Sequence, residues 1–280
     1  MNISGYFKIR FFRYLIIFFY FIIVISSCKE EKTDVNTKTA EDAMNFITAI
    51  NDVFFQIDAI AKDGNYHLSK SKNSNPASCL NIITVSENTY PRNITLDFGP
   101  SNCAGMDGRN RRGKIYISTS APFYDRSSVT SVLFSNYCIN DNKVEGRYTI
   151  ECSGRNGVGN LIFAITVSDL NILTPGGTIT VTGTFSREWS EGELTKWPVV
   201  IDDEYLITGS GSGSSSGSEK FDLNIINPLK FSVACSWITS GVMDIESIGR
   251  TKRTIDYGNS KCDNSASITI KSDVFNITLH

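Results

Sequence analysis

"LIFAITVSDLNILTPGGTITVTGTFSREW", residues Leu161 to Trp189, is the stretch whose reading decides the fold class. Its apolar residues fall on alternate positions: Leu161, Phe163, Ile165 and Val167 in the first half, Ile179, Val181 and Phe185 in the second. A period of two places such side chains on one face of a pleated strand and the intervening polar ones on the other. Between the halves stands Pro175-Gly176-Gly177, where proline presets φ and glycine accepts the conformations of a tight turn. Two half-buried strands joined this way form an antiparallel hairpin.

The same signature recurs on both sides. Ile94, Leu96 and Phe98 alternate with polar residues, as do Leu229, Phe231, Val233, Cys235 and Trp237. Turn chemistry at Asp107-Gly108, Asp141-Asn142, Asn156-Gly157 and Ser272-Asp273 separates the runs, with no helical segment between them. Residues 79–280 are therefore expected to form an all-β domain, an antiparallel meander or sandwich. "GSGSGSSSGS", Gly209 to Ser218, lies between strand readings at Glu204 to Thr208 and Lys220 to Ile226 and reads as a mobile hairpin tip.

Ahead of the strands the period changes to that of a helix. Ala43, Ile47, Ile50, Phe54, Ile57 and Ile60 recur at helical spacing, with Thr39 as the expected cap and Glu41 and Asp42 facing the positive end of the helix dipole. Asp63-Gly64-Asn65 stops it. The apolar stripe is expected to dock on the β-domain. The polar run from Ser69 to Ser78 reads as a linker and boundary, so that 39–78 is helix plus linker.

The first 27 residues carry an address. Lys8, Arg10 and Arg13 precede an uncharged, Ile- and Phe-rich stretch from Tyr14 to Ser27, which ends in Ile25-Ser26-Ser27-Cys28. This is the three-part layout of a secretory signal peptide. The uncharged stretch is shorter than the about 20 residues of a membrane-spanning helix. Its end resembles a bacterial lipobox, with small residues for the peptidase and the Cys28 thiol as acceptor of a diacylglyceryl group. The mature chain is then held to a membrane through Cys28, and stable anchoring takes more than one acyl chain. Residues 28–38 form a lipidated tether whose Lys29-Glu30-Glu31-Lys32 resembles the signal for the outer face of an outer membrane. The expected location is the outer membrane, lipid-anchored and surface-exposed, with its periplasmic face as the alternative.

Seven cysteines leave six once Cys28 carries lipid. Two stretches look duplicated: "RNITLDFGPSNC" (Arg92 to Cys103) and "RTIDYGNSKC" (Arg253 to Cys262), each with another cysteine upstream, Cys79 and Cys235. The expected fold thus contains an internal pseudo-repeat. Export permits disulfides, and pairing Cys79 with Cys103 and Cys235 with Cys262 gives both units one staple, each worth about 2–4 kcal/mol. Parity then leaves Cys138 with Cys152, a pair that needs a bulge or a later turn than the one at Asn140 to Lys143.

Composition narrows the chemistry. The formal net charge is −2, and loss of the three basic leader residues makes the mature chain more negative, which argues against nucleic acid as a partner. The two histidines, His67 and His280, lie in the linker and at the last position. No GxSxG motif, metal spacing or cofactor fingerprint occurs, so no cofactor and no enzymatic activity are expected. Asp97 and Asp256, the twin acids of the repeat, read as caps of the turns that follow them. "GMDGRNRRGK" (Gly105 to Lys114) lacks the spaced carboxylates of a calcium loop and reads as a solvated hairpin tip. Trp189, Trp197 and Tyr205 flank an acidic segment and are the candidate ligand-binding residues. Exposed aromatics of this kind stack on sugar rings while Glu191, Glu193, Asp202 and Asp203 accept hydroxyls.

The segments "ITLDFGPSNCAGMDGRNRRGKI", "GTITVTGTFSREW", "YLITGSGSG" and "RTIDYGNSKCDNSASITI", with the leading helix "INDVFFQIDAIA", resemble a group of Bacteroidota cell-envelope lipoproteins of uncharacterised activity. The resemblance covers most of the mature chain. It implies a helical lead and a β-rich body in the cell envelope and carries over no functional residue; Cys138 and Cys152 stand outside its pattern. The expected function is a lipid-anchored envelope protein with a binding or structural role toward a glycan or an envelope protein. The alternatives are a glycan-binding module using Trp189 and Trp197, and a carboxylate-based hydrolase.

Overall fold

The computed structural model of the chain describes residues 34–62, 80, 82–85, 89–105, 107–195 and 201–279. The signal segment, Cys28, the tether up to residue 33, Cys79, Trp197, both histidines and the run from Ser69 to Ser78 lie outside the described residues. Helix and strands belong to one compact unit that begins at Val35.

Helix α1 (Lys38–Lys62) begins one residue before Thr39, the expected cap. The Thr37 carbonyl accepts the Glu41 N–H at 3.0 Å and Asn36 Oδ1 accepts the Lys38 N–H at 2.9 Å, so Thr39 stands in the first turn. Among the described residues fourteen strands follow: β1 (Ile82–Val85), β2 (Arg92–Asp97), β3 (Cys103–Ala104), β4 (Asn110–Thr119), β5 (Val129–Ile139), β6 (Asn142–Arg155), β7 (Leu161–Thr174), β8 (Gly177–Glu191), β9 (Glu204–Ser214), β10 (Lys220–Ser232), β11 (Ile238–Glu246), β12 (Arg253–Asn259), β13 (Ser265–Ile270) and β14 (Asp273–Thr278). Each pairs antiparallel with its sequence neighbour in one sheet, β1 and β14 being its edges, while the short β3 sits beside β4 and lets β2 pair with β4 directly. The all-β class is as expected, and of the two architectures it is the meander.

This sheet curls around α1. Side chains from β4, β5, β8, β9 and β12 all reach the helix or the residue leading into it. Ala43, Phe46, Ile47, Ile50, Val53, Phe54 and Ile57 are each at most 2% exposed. A surface helix shows one apolar stripe, whereas α1 is apolar or internally paired on most sides, and each of its large side chains contributes about 1.5–3 kcal/mol by leaving water. Glu41, Asn45, Thr48, Phe55 and Ala59 are half-buried and recur at the spacing of one helix face, where Phe55 packs on Phe231 of β10.

Two devices bend the sheet. Bulges interrupt several strand pairs, and each bulge sharpens the local bend. At the β4/β5 bulge Gly113 adopts φ 85°, and a Cβ there would lie 2.1 Å from the Asn136 carbonyl oxygen, so a side chain is excluded. The second device corrects the reading of Gly209 to Ser218 as a mobile tip. Strand β9 runs through this stretch to Ser214, paired on both sides, and the turn is confined to Ser215–Ser218. Gly209, Gly211 and Gly213 share the inward parity of buried Tyr205 and Ile207. Gly211 faces Gly183, Phe185 lies over this bare backbone, and Phe46 of α1 packs on Phe185 with ring centroids 5.6 Å apart. The stretch is low in complexity because the inner wall there must be thin.

The run from Leu229 to Trp237 is shorter as a strand than its alternation suggests. β10 stops at Ser232, and a turn closed by the Cys235 N–H to the Ser232 carbonyl separates it from β11.

Candidate functional site

Four polar residues of α1 face the strands, and each is met by a defined partner. Asp42 accepts the N–H and hydroxyl of Ser216 at 2.8 Å each, and Lys38 at 2.7 Å. Asn51 accepts from the Arg187 guanidinium. Asp52 accepts Tyr137 Oη at 2.6 Å and is bound side-on by Arg111, whose other face holds Asp107. Asp58 accepts Tyr205 Oη at 2.6 Å and Tyr124 Oη at 2.8 Å and pairs with Lys62 at 2.8 Å. Lys62 also meets Asp203, donates to Tyr205 Oη and lies 4.1 Å from the Trp189 ring centre. Buried carboxylates persist only when paired and hydrogen-bonded; these contacts meet that condition and fix the helix in its register.

The electrostatics follow from the partners. Burial disfavours the Arg111 cation, but the Asp52 charge and the hydrogen bonds to Asp107 and Asp52 raise its pKa far above the ordinary value. Burial likewise opposes ionisation of Asp107, yet Arg111 and Arg109 hold its carboxyl below the usual range. Asp203 goes the other way: burial pushes it up, and Lys62 only partly offsets this. Burial pushes Tyr137 and Tyr205 well above the ordinary tyrosine range. Arg187 is fully buried with its guanidinium 4.2 Å from the ring centres of both Phe54 and Tyr205, and burial lowers its pKa to about 10.

The tryptophan reading is corrected in part. Trp189 and Tyr205 are 6% and 0% exposed, stacked on each other inside the sheet, and the Trp189 Nε1–H donates to Asp203 at 3.2 Å. Neither offers a free face to a sugar, because Lys62 occupies that side. Of the acids assigned to hydroxyls, Asp203 is buried, Glu193 pairs with Arg155, and Asp202 accepts from Thr195. The loop from Gly105 to Lys114 is not a solvated tip either: Arg109 and Arg111 are 6% and 3% exposed, turned inward by Asp107 and Asp52. Asp97 and Asp256 do cap their turns, accepting the N–H of Gly99 at 2.9 Å and of Gly258 at 2.8 Å.

Among the cysteines, Cys235 and Cys262 form a disulfide with Cα atoms 5.6 Å apart, and Cys103 is disulfide-bonded. The pair Cys138 and Cys152 is overturned, since both are free and buried. Asn140 and Asp141, at φ 47° and 64°, make a two-residue turn of the hairpin type. Cys138 therefore faces Lys143, while Cys152 sits at the far end of the same hairpin, next to Glu151, which faces Val129. Burial pushes both thiols up, which disfavours the reactive thiolate.

A cleft of about 320 Å³ lies beside α1. Its floor is Glu41, Met44, Asn45, Thr48 and Asn51 of α1; one wall is Asn276–Leu279 of edge strand β14 and beyond; the other is Arg109, Trp237 and Ile238, with Tyr257 of β12 at the back. Arg109 donates to Asp107 at 3.3 Å and to the Ser236 carbonyl, and its Nε has no partner. Apolar Met44, Trp237 and Ile277 and polar Asn45, Asn51 and Asn276 line it together, a mixed surface that offers a small ligand both kinds of contact. Glu41 is the one carboxylate among its described lining residues. Sequence reasoning missed Arg109 and Trp237, because the first looked like a loop charge and the second like a strand residue. No group of three or more His, Cys, Asp or Glu among the described residues is placed to hold a metal ion. No protein-family model, curated protein sequence or solved structure matches this chain.

Proposed function

We propose that the chain is an exported envelope lipoprotein, anchored in the outer membrane through acyl groups on Cys28, with a non-enzymatic β-body that binds a small ligand in the cleft between α1 and β14. The observation that carries the export part is the Cys235–Cys262 disulfide, in a chain that opens with a basic, then apolar, then small-residue segment ending in cysteine. Disulfides persist in oxidising compartments, and a reduced cytosol would leave this pair as thiols. The resemblance to Bacteroidota cell-envelope lipoproteins points the same way. The binding part rests on the cleft beside α1, whose lining mixes apolar Met44, Trp237 and Ile277 with polar Asn45, Asn51 and Asn276.

Mass spectrometry of the mature N-terminal peptide tests the reading. A peptide beginning at acylated Cys28 is expected, with Cys235 joined to Cys262 in the non-reducing map. An intact initiator methionine on the native protein overturns it. Protease treatment of intact cells tests display at the surface, where full protection would place the body on the inner side of the membrane.

A further inference from the structure

We propose that Lys62 and Asp203 join in a self-made isopeptide bond: the Lys62 amine attacks the Asp203 carboxyl carbon while Asp58 carries the protons, and the end of α1 becomes covalently tied to the residue that leads into β9. Three observations lead there. The first is proximity. Lys62 Nζ lies 2.5 Å from Asp203 Oδ2 and 2.8 Å from Asp58 Oδ2, although Lys62 and Asp203 are 141 residues apart in sequence. Folding thus supplies the encounter that an amine and a carboxyl in solution must find by collision.

The second is burial. The Lys62 side chain is 9% exposed and each acid 1%, with the Trp189 and Tyr205 ring centres 4.1 and 5.4 Å from the nitrogen. Lys38, Lys114, Lys143, Lys230 and Lys252 also pair with acids, but 28–51% of each of those side chains is exposed, so water competes for them. Exclusion of water favours uncharged reactants and protects the amide from hydrolysis. Burial pushes Asp203 in that direction, toward the protonated acid that an amine can attack. The third is the placing of donors. The Trp189 Nε1–H meets the other Asp203 oxygen, Oδ1, at 3.2 Å, where negative charge develops during attack. Tyr205 Oη and Tyr124 Oη donate to the two oxygens of Asp58 at 2.6 and 2.8 Å and fix its edge against Lys62.

The step balances without an outside reagent. Asp58 takes one proton from the Lys62 ammonium and frees its lone pair. The N–C bond forms, charge passes to Oδ1 and returns, and the C–Oδ2 bond breaks. Asp58 gives its proton to the departing hydroxyl, which leaves as water, and then takes one from the new amide nitrogen. An ammonium, a neutral acid and a carboxylate become an amide, a water and a neutral acid. The structure holds the three groups unjoined; until the bond forms, a newly folded chain keeps Asp203 titratable and Lys62 as an ion-pair partner.

The full-length protein, purified from its native host, is reduced and digested with trypsin. A free Lys62 releases Thr39–Lys62 and Trp197–Lys220 as separate peptides. A joined Lys62 blocks the cut, and the expected product is one branched peptide made of Thr39–Lys70 and Trp197–Lys220, lighter than their sum by one water, with fragment masses placing the link at Lys62 and Asp203. Asp58→Asn keeps the shape of the side chain but carries no proton, and should slow joining by about a hundredfold or more, read as the joined fraction at fixed times after folding. Separate peptides from the wild-type protein, a link mapped to Asp202 or another acid, or Asp58→Asn joined as fast as wild type overturns the proposal. Because the wild-type digest needs no variant, misfolding of Asp58→Asn leaves the test intact.

Discussion

Asp52 and Asp58 stand less than two turns apart on α1, and each is buried against a strand tyrosine at 2.6 Å and a cation. Their surroundings nevertheless push neighbouring carboxyls in opposite directions. Around Asp52, two carboxylates share two guanidiniums, Arg111 bound side-on and Arg109 beside Asp107, and the cations outweigh burial so that Asp107 is held low. Around Asp58, one ammonium serves two carboxylates, and burial wins at Asp203, which is pushed up. Arg187 is the nearest further cation, but it stacks on the Tyr205 ring and donates to Asn51 rather than to either acid. Burial alone does not set the sign of a shift; the count and geometry of cations within reach does.

The largest expected effect is on the Asp52 side. Asp52→Ala leaves Arg111 and Tyr137 without their shared acceptor and should cost about 3–5 kcal/mol, read as a lowered midpoint in urea unfolding at neutral pH. Lys62→Met should cost somewhat less, about 3 kcal/mol, because Asp203 is already inclined to hold a proton. Its deficit relative to wild type should shrink as the pH is lowered; a constant deficit would mean that Lys62 acts by packing alone. Tyr137→Phe and Tyr205→Phe each remove a hydrogen bond to a charged group, for about 1.5–3 kcal/mol. Tyr205→Phe should be the larger, since its hydroxyl also accepts from Lys62.

The smallest expected signal distinguishes the clusters most directly. NMR titration of carboxyl carbons should find Asp107 titrating below the ordinary aspartate value of 3.8 and Asp203 above it. The signs for stability then oppose each other. Asp107 contributes stability that is full above its unfolded value and lost as pH falls through its lower folded value. Asp203 binds a proton more readily folded than unfolded, so its contribution falls as pH rises from the unfolded value through the higher folded one. Identical titration of the two carbons would end the comparison.

Much of the fold was legible because period, turn chemistry and caps are local. Leu161, Phe163, Ile165 and Val167 lie on one buried face of β7, as alternation requires. The duplicated Asp-aromatic-Gly stretches cap their turns through Asp97 and Asp256, and the staple that the repeat selects at Cys235 and Cys262 is present. Parity without a repeat failed at Cys138 and Cys152, since an even count says nothing about which residues a two-residue turn sets opposite each other. The site was the least legible. Trp189 and Trp197 flank acids in sequence and so suggested a surface, yet Trp189 lies inside; nothing local marks Arg109 and Trp237 as lining one cleft with Glu41.

By itself, then, the sequence determined that a helix precedes a succession of antiparallel strands and where most turns fall, because each depends on residues a few positions apart. Only the tertiary structure decided that the sheet wraps the helix, that Arg109 and Arg111 turn inward to Asp107 and Asp52 while Arg112 turns out to Asp141, and that residues of α1, β11, β12 and β14 come together around a cleft. Those outcomes depend on curvature accumulated over many strands, through bulges and bare glycine backbone, and on charges more than 50 residues apart meeting where water is excluded.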